Sequence, residues 1–392
     1  MTDVFLVSAT RTPIGKYLGG LAELPATQLG AITIAEALKR SQIPGDQVDE
    51  VIMGQVLQAG AGQNPARQAA LQAGLPDTIA AFTVNKVCGS GLKAVMLAAQ
   101  AIRAGDAEVV VAGGMESMSR APYLLEGARG GWKYGDQKAI DAMIHDGLWC
   151  PFEGWHMGEA AEHIAAKHGV SRQEQDRFSA QSQQRAARAW ETGAFTAEVV
   201  PVSVGTGTRA RTVARDEGVR PETTQETLAR LRPAFREEGT VTAGNASTLS
   251  DGAAALVLAS GRVMEQLGRK PLARVIGQAT SGVNPKEIFI APVLAVRQVL
   301  DKVGCTLADI DLFELNEAFS AQMLACAKEL GLDENKVNVH GGAIALGHPI
   351  GASGARVLVT LLSALEQRGL PRGLACLCLG GGNAVAMVVE RM

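Results

Sequence analysis

Cys88 stands in the run Val84-Asn85-Lys86-Val87-Cys88-Gly89-Ser90-Gly91, where a strand-like segment gives way to a helical pattern. A thiol at a helix start meets free N–H groups and the positive end of the helix dipole. Both favour the thiolate, the form that attacks a carbonyl carbon. The alternative for such a residue is plain packing, since an unpaired cysteine behaves as a small hydrophobe. The second candidate is His348, in a glycine-rich stretch at 340–354 that also precedes a helix. An imidazole there could act as general base toward a thiol, or serve structure alone. The third is Cys378, in Cys376-Leu377-Cys378-Leu379-Gly380-Gly381-Gly382. Alternate residues of a strand share a face, so Cys376 and Cys378 point the same way. Cys378 is nearer the glycine turn and is the better candidate for an exposed thiol. That turn lacks the Gly-Lys-Ser/Thr ending of a phosphate loop, yet its N–H groups could hold an oxyanion. The fourth is Asn316, after an apolar strand at 311–314. It reads first as the cap of the next helix, and second as a group that could hold a water at a site.

Layers of strand and helix must position these groups. Residues 81–84 read as a short strand, and 89–104 as a helix with Leu92, Val95, Met96, Ala99 and Ile102 at helical spacing. Residues 108–112 read as a buried strand ended by Gly113-Gly114. Such alternation indicates α/β layers. The second half repeats the first: residues 48–51 return at 310–313, 90–95 at 353–358, and the pair 113–114 at 380–381, at nearly one offset. If the halves pack about a pseudo-twofold axis, the turns bearing Cys88 and His348 face one another. Between the halves, residues 119–250 have no counterpart. They carry most of the tryptophan and a polar segment at 205–220, and 176–190 reads as a mostly exposed helix. Insertions on rigid cores often supply binding loops. The expected division is an N-terminal core of 1–118 plus 251–270, a loop domain of 119–250, and a C-terminal core of 271–392.

Composition narrows the function classes. The chain has 392 residues, 47% hydrophobic but only 4% aromatic, with 45 glycines. A net charge of −3 gives no general attraction to nucleic acid or a membrane surface. No apolar run approaches the roughly 18 residues of a transmembrane helix. The six scattered cysteines match neither a disulfide framework nor a zinc pattern, so no metal is expected. A cytoplasmic protein with free thiols is the simplest reading.

Together the four blocks resemble the thiolase family, and the similarity runs nearly end to end. Ser8-Ala9-Thr10-Arg11-Thr12-Pro13-Ile14-Gly15 opens it; the stretches at 60–71, 113–118 and 239–250 continue it; Gly347-His348-Pro349 and Cys378-Leu379-Gly380-Gly381-Gly382 close it. The resemblance implies a duplicated five-layer αβαβα core with an inserted loop domain, and a homotetramer. It gives Cys88 the role of acyl carrier and His348 that of its base. It makes Cys378 the acid–base for the α-proton of a second acetyl-CoA. Asn316, through a water, and His348 would hold one thioester oxygen; the N–H groups of Cys88 and Gly380 would hold the other. Coenzyme A, as substrate and product rather than cofactor, would lie along Leu148, His156, Met157, Arg220, Phe235, Ala243 and Ser247, with Ala318 and Phe319 from the second half.

The His156-Met157 pair resembles the class that handles acetoacetyl-CoA, which implies reversible condensation of two acetyl-CoA by a ping-pong route. The alternative is a degradative 3-ketoacyl-CoA thiolase of broader chain length. Trp155, Cys376, Ile288 and Asn383 depart from the common family pattern without removing a catalytic group. Two further rivals are a cysteine hydrolase using Cys88 and His348, and a non-enzymatic lipid carrier.

Overall fold

The computed structural model describes residues 2–392. In the first half, β1 (Val4–Arg11), β2 (Glu50–Gly54), β3 (Ala80–Val84), β4 (Val109–Ser117) and β5 (Ser250–Ser260) pair in the order β3-β2-β4-β5-β1. In the second, β6 (Ala273–Gly282), β7 (Leu312–Leu315), β8 (Arg372–Leu379) and β9 (Asn383–Arg391) pair as β7-β8-β9-β6. Val337 bridges Phe313 on the outer edge, where the first half has β3. The two arrangements are therefore one topology used twice. They join edge to edge where Phe5 and Leu6 pair with Arg274 and Ala273.

Helices cover both faces. α1 (Ala26–Ser41) and α2 (Pro65–Gln72) pack outside the first half, on a core that includes Leu29, Ile34, Met53 and Val111. α6 (Ala291–Val303) and α7 (Ser320–Leu330) pack outside the second, around Val296, Phe313 and Leu324. Between the sheets lie α3 (Ser90–Ala104) and α8 (Ser353–Arg368), whose Leu92, Val95, Leu358 and Leu361 fill a shared centre. Three apolar cores separate five layers, helix–sheet–helix–sheet–helix. The central pair can touch because its first turns carry glycine: a Cβ on Gly91 would lie 2.7 Å from the Ala355 nitrogen, and one on Gly354 would collide with the Leu92 nitrogen.

Between β4 and β5 the chain leaves the first half and returns. This excursion contains α4 (Met157–Lys167) and α5 (Arg172–Glu191), which pack over the second half beside α7. Two sequence expectations change here. The strand does not stop at Gly113-Gly114 but runs to Ser117. Glycine is needed mid-strand because a side chain on Gly113 would meet the Ala254 carbonyl, and one on Gly114 the Gly351 carbonyl. Nor is α5 mostly exposed. Its Gln175, Asp176, Ser179, Ser182 and Gln183 are buried, because each finds a polar partner. Ser179 meets Ser320 at 2.8 Å, Ser182 donates to Glu317 at 2.7 Å, and Gln183 accepts from the Arg220 N–H at 2.7 Å. No described helix is long and apolar enough to cross a membrane.

Candidate active site

The duplicated turns meet at one cavity of about 590 Å³. Cys88 follows Val87, which is held at φ 45°, a left-handed conformation costly for a β-branched residue. The turn is fastened by Ser90, whose hydroxyl donates to the Val87 carbonyl at 2.6 Å and accepts from the Lys86 N–H at 2.8 Å. The backbone N–H groups of Cys88 itself and of Gly380 favour the Cys88 thiolate. Burial nevertheless pushes the thiol up to about 12, with those two groups pulling the other way and Glu116 adding to the rise. The expected low thiol pKa is thus reversed. Desolvation by the surrounding protein outweighs the helix terminus, and the resting Cys88 is a neutral thiol.

His348 is buried opposite it, its imidazole lowered to about 3 by burial and by the Arg356 charge. A neutral ring is the form that accepts a proton. Its hydrogen bonds also fix the tautomer. Ser353 Oγ donates to the Pro349 carbonyl at 2.9 Å, so it can only accept from His348 Nδ1 at 2.6 Å. The proton therefore sits on Nδ1, and Nε2 is the basic atom. Asn316 Nδ2 lies 3.5 Å from Nε2. Ser353 was not singled out from sequence. The available signal was its place five residues after His348, at the first turn of α8.

Asn316 does not cap α7, whose N-cap is Phe319. The helix starts too late, and the Asn316 N–H is bound to the Cys376 carbonyl at 3.0 Å. Its side chain turns toward His348 instead, and its Oδ1 is buried without a protein hydrogen-bond partner. The neighbouring Glu317 fixes this turn, accepting from Ser182, Asn338 at 2.8 Å and the Ile344 N–H at 3.2 Å. Cys378 is not exposed; it is 2% accessible, and what it reaches is the cavity. Burial raises its thiol well above the usual range, and the nearby Cys88 adds to this. Cys376 shares its face, as the strand period requires, but lies one step deeper in the outer core and outside the cavity lining.

The residues expected to bind coenzyme A, together with Gly380, all line the same cavity: Leu148, His156, Met157, Arg220, Phe235, Ala243, Ser247, Ala318 and Phe319. His156 caps α4 by accepting the Gly158 N–H at 3.0 Å and stacks on Phe235 with centroids 5.0 Å apart. Phe235 in turn meets Phe319 edge-on. Residues 245–247 pair with the turn after Asn316, through Ser247 N–H to the Ala318 carbonyl at 3.0 Å. Sequence reasoning missed Met118, Met143, Leu249 and Ile350, which close the inner end beside Cys88, and Lys16 and Tyr17 at the lining's edge. They are ordinary residues in their own segments, and only the tertiary fold gathers them.

Two family models match the chain: the thiolase N-terminal domain over residues 4–262 and the thiolase C-terminal domain over 269–391. The chain belongs to the thiolase family. It is 55% identical to the acetyl-CoA acetyltransferase of Escherichia coli (strain K12) over 393 residues, all of both chains. It is 52% identical to a probable acetyl-CoA acyltransferase of Staphylococcus aureus (strain COL), again over both full lengths. The crystal structure of the Bacillus anthracis acetyl-CoA acetyltransferase superposes with a TM-score of 0.98 at 43% identity, covering 100% of this chain and 99% of that one.

Proposed function

We infer that this thiolase is an acetyl-CoA C-acetyltransferase, joining two acetyl-CoA into acetoacetyl-CoA and CoA and running the reverse thiolysis. The observation that carries the reading is the meeting of Cys88, His348, Cys378 and the Gly380 N–H at the inner end of one apolar cavity. Cys88 Sγ attacks the thioester carbonyl while His348 Nε2 takes and keeps the thiol proton, and the CoA sulfur departs with the proton of Cys378, which is left as thiolate. The N–H groups of Cys88 and Gly380 face the oxygen that gains charge. One such donor is worth about 2.7–4 kcal/mol of barrier. The acetyl group then rests on Cys88, and CoA is exchanged for a second acetyl-CoA, a ping-pong sequence.

In the second step Cys378, as thiolate, removes a proton from the acetyl methyl. Its strongly raised thiol pKa suits a base for so weak a carbon acid. The enolate oxygen is held by His348 Nε2–H and by a water on Asn316, whose buried Oδ1 has an acceptor to spare. The enolate carbon forms a bond to the acetyl carbonyl of Cys88, the Cys88–acyl bond breaks, and His348 Nε2–H returns its proton to the Cys88 sulfur. In thiolysis Cys378 returns its proton to carbon. None of these steps requires a metal or redox cofactor.

The inserted segment supplies the coenzyme A path: Phe235, Met157 and Leu148 offer apolar contact to pantetheine, and Arg220 offers charge to phosphate. Met118, Met143 and Ile350 crowd the acyl end, which favours two- and four-carbon chains. We place the enzyme in the cytoplasm as a homotetramer, on its six unpaired cysteines and the family resemblance. A kinetic panel tests the reading. Acetoacetyl-CoA thiolysis should exceed that of long-chain 3-ketoacyl-CoA by at least about tenfold, the effect of about 1.4 kcal/mol of pocket fit. Acetyl-CoA should leave an acetylated Cys88 peptide by mass spectrometry. Comparable long-chain rates would favour the degradative alternative; release of acetate without exchange into CoA would favour a hydrolase.

A further inference from the structure

Glu116 is fully buried at the end of β4 and touches no cation among its hydrogen-bond partners. Its carboxylate instead accepts three backbone N–H groups from two loops. Oε2 takes Val56 at 3.0 Å and Gly351 at 2.9 Å, and Oε1 takes Leu57 at 3.2 Å. Val56 and Leu57 follow β2 in the first half. Gly351 lies three residues after His348, in the second half. The carboxylate thus bridges the pseudo-twofold axis where the two catalytic turns meet. Gly351 is pressed onto it: a Cβ there would lie 2.7 Å from Oε2 and 2.9 Å from the Gln55 Cα. The side chains carried by these clamped loops, Val56, Leu57 and Ile350, pack with Met118 and Met143 into the apolar cluster against Cys88. The other titratable groups whose charge reaches this carboxylate are Asp251, on β5, and Cys88 itself.

We propose that Glu116 is a positioning residue that locks the His348–Gly351 turn to the Val56–Leu57 turn, and so fixes both the base over Cys88 and the wall that limits acyl length. It rests on the reaction assigned above but makes no contact with substrate. A charged acceptor suits this place because backbone N–H groups buried together need more acceptor capacity than a neutral side chain offers. Oε2 alone serves two donors. Burial raises the carboxyl to about 7, with the three N–H bonds opposing that rise. The clamp is therefore fully charged only toward alkaline pH.

The test pairs E116Q with E116A in the full chain. A glutamine oxygen can take the Oε2 place and keep Val56 and Gly351, while its NH2 faces the Leu57 N–H as donor against donor. Alanine removes all three bonds. Hydrogen exchange of peptides covering 54–58 and 348–352 reads the clamp without any substrate. Protection should drop at least about tenfold in both peptides of E116A, and in E116Q only in the first. In E116A the thiolysis kcat should fall about a hundredfold, the scale of a 1 Å misplacement, with KM for CoA within about threefold. Its preference for acetoacetyl-CoA over longer substrates should narrow, while E116Q keeps the wild-type preference. Unchanged exchange at 348–352 in E116A overturns the proposal. So does an equal loss of kcat in both variants that merely follows their Tm. Failure of the wild type to exchange acetyl groups would sink the reaction assignment instead, and the exchange measurement would still decide the clamp.

Discussion

At the residue scale the site works with neutral partners. Cys88 is a thiol pushed up to about 12 and His348 a base lowered to about 3, so neither is ionised at rest. Proton transfer between them must then accompany attack, and it depends on Nε2 being the free nitrogen. Ser353 enforces that tautomer through its 2.6 Å contact with Nδ1. S353A should therefore lower kcat about ten- to hundredfold, the usual effect of removing the partner that orients a functional imidazole, with KM for CoA little changed. Steady-state thiolysis of acetoacetyl-CoA measures it, and a wild-type kcat would refute the tautomer argument. The four central residues were legible in the sequence because each stands in its own long motif. Their protonation states were not. A helix terminus can be inferred from sequence, but the desolvation that outweighs it at Cys88 comes from residues distant in the chain that pack around it, among them Met118, Met143 and Ile350.

At the element scale the decisive feature is the contact of two helix starts. α3 brings Cys88 and α8 brings His348, and they meet through Gly91 and Gly354. The repeat was legible as three matches at nearly one offset, and it implied facing turns. The closeness of approach was not, because a glycine inside a helical pattern reads only as a weak helix former. Gly113 and Gly114 misled for the same reason: they read as a strand end, whereas the fold uses them where neighbouring carbonyls leave no room. α5 misled differently, since its buried polar residues are paid for by partners distant in sequence, such as Ser320 and Glu317. G354A puts a methyl against the Leu92 nitrogen, backbone that cannot step aside. We expect a loss of about 1–3 kcal/mol in stability, as for overpacking generally, and a kcat at least about tenfold lower because the two turns separate. Urea unfolding together with kcat checks this. A variant that loses stability yet keeps full kcat would show that the helix contact holds the fold but not the site.

At the scale of the whole molecule, burial of titratable groups sets how stability follows pH. The family resemblance, the repeat and the layers were legible in the sequence; this balance needed the assembled core. Glu314 and Glu116 are raised by burial, to about 8 and about 7. They hold protons the unfolded chain has released, so their contribution is full below pH 4.5 and is lost as pH rises through 7 to 8. The buried imidazoles act in the opposite sense. His340 is lowered to about 4 by burial, with Arg368 adding, and sits edge-on to Phe195 with Nδ1 unpartnered. Below pH 6.5 the unfolded chain takes up a proton there that the folded chain refuses until about pH 4. Stability is therefore lost across that window, by up to about 1.4 kcal/mol per pH unit for one such group. Many carboxylates titrate over the same range, so the wild-type curve alone cannot isolate His340. H340N removes the titrating ring and leaves the others. The wild type should fall relative to H340N as pH drops from 6.5 to 4.5, read as the difference between their urea unfolding free energies, while both keep one kcat at pH 8. A difference that stays constant across the window would mean that His340 takes up its proton in the folded protein at an ordinary pH, and that its pocket is wetter than the packing around Phe195 implies.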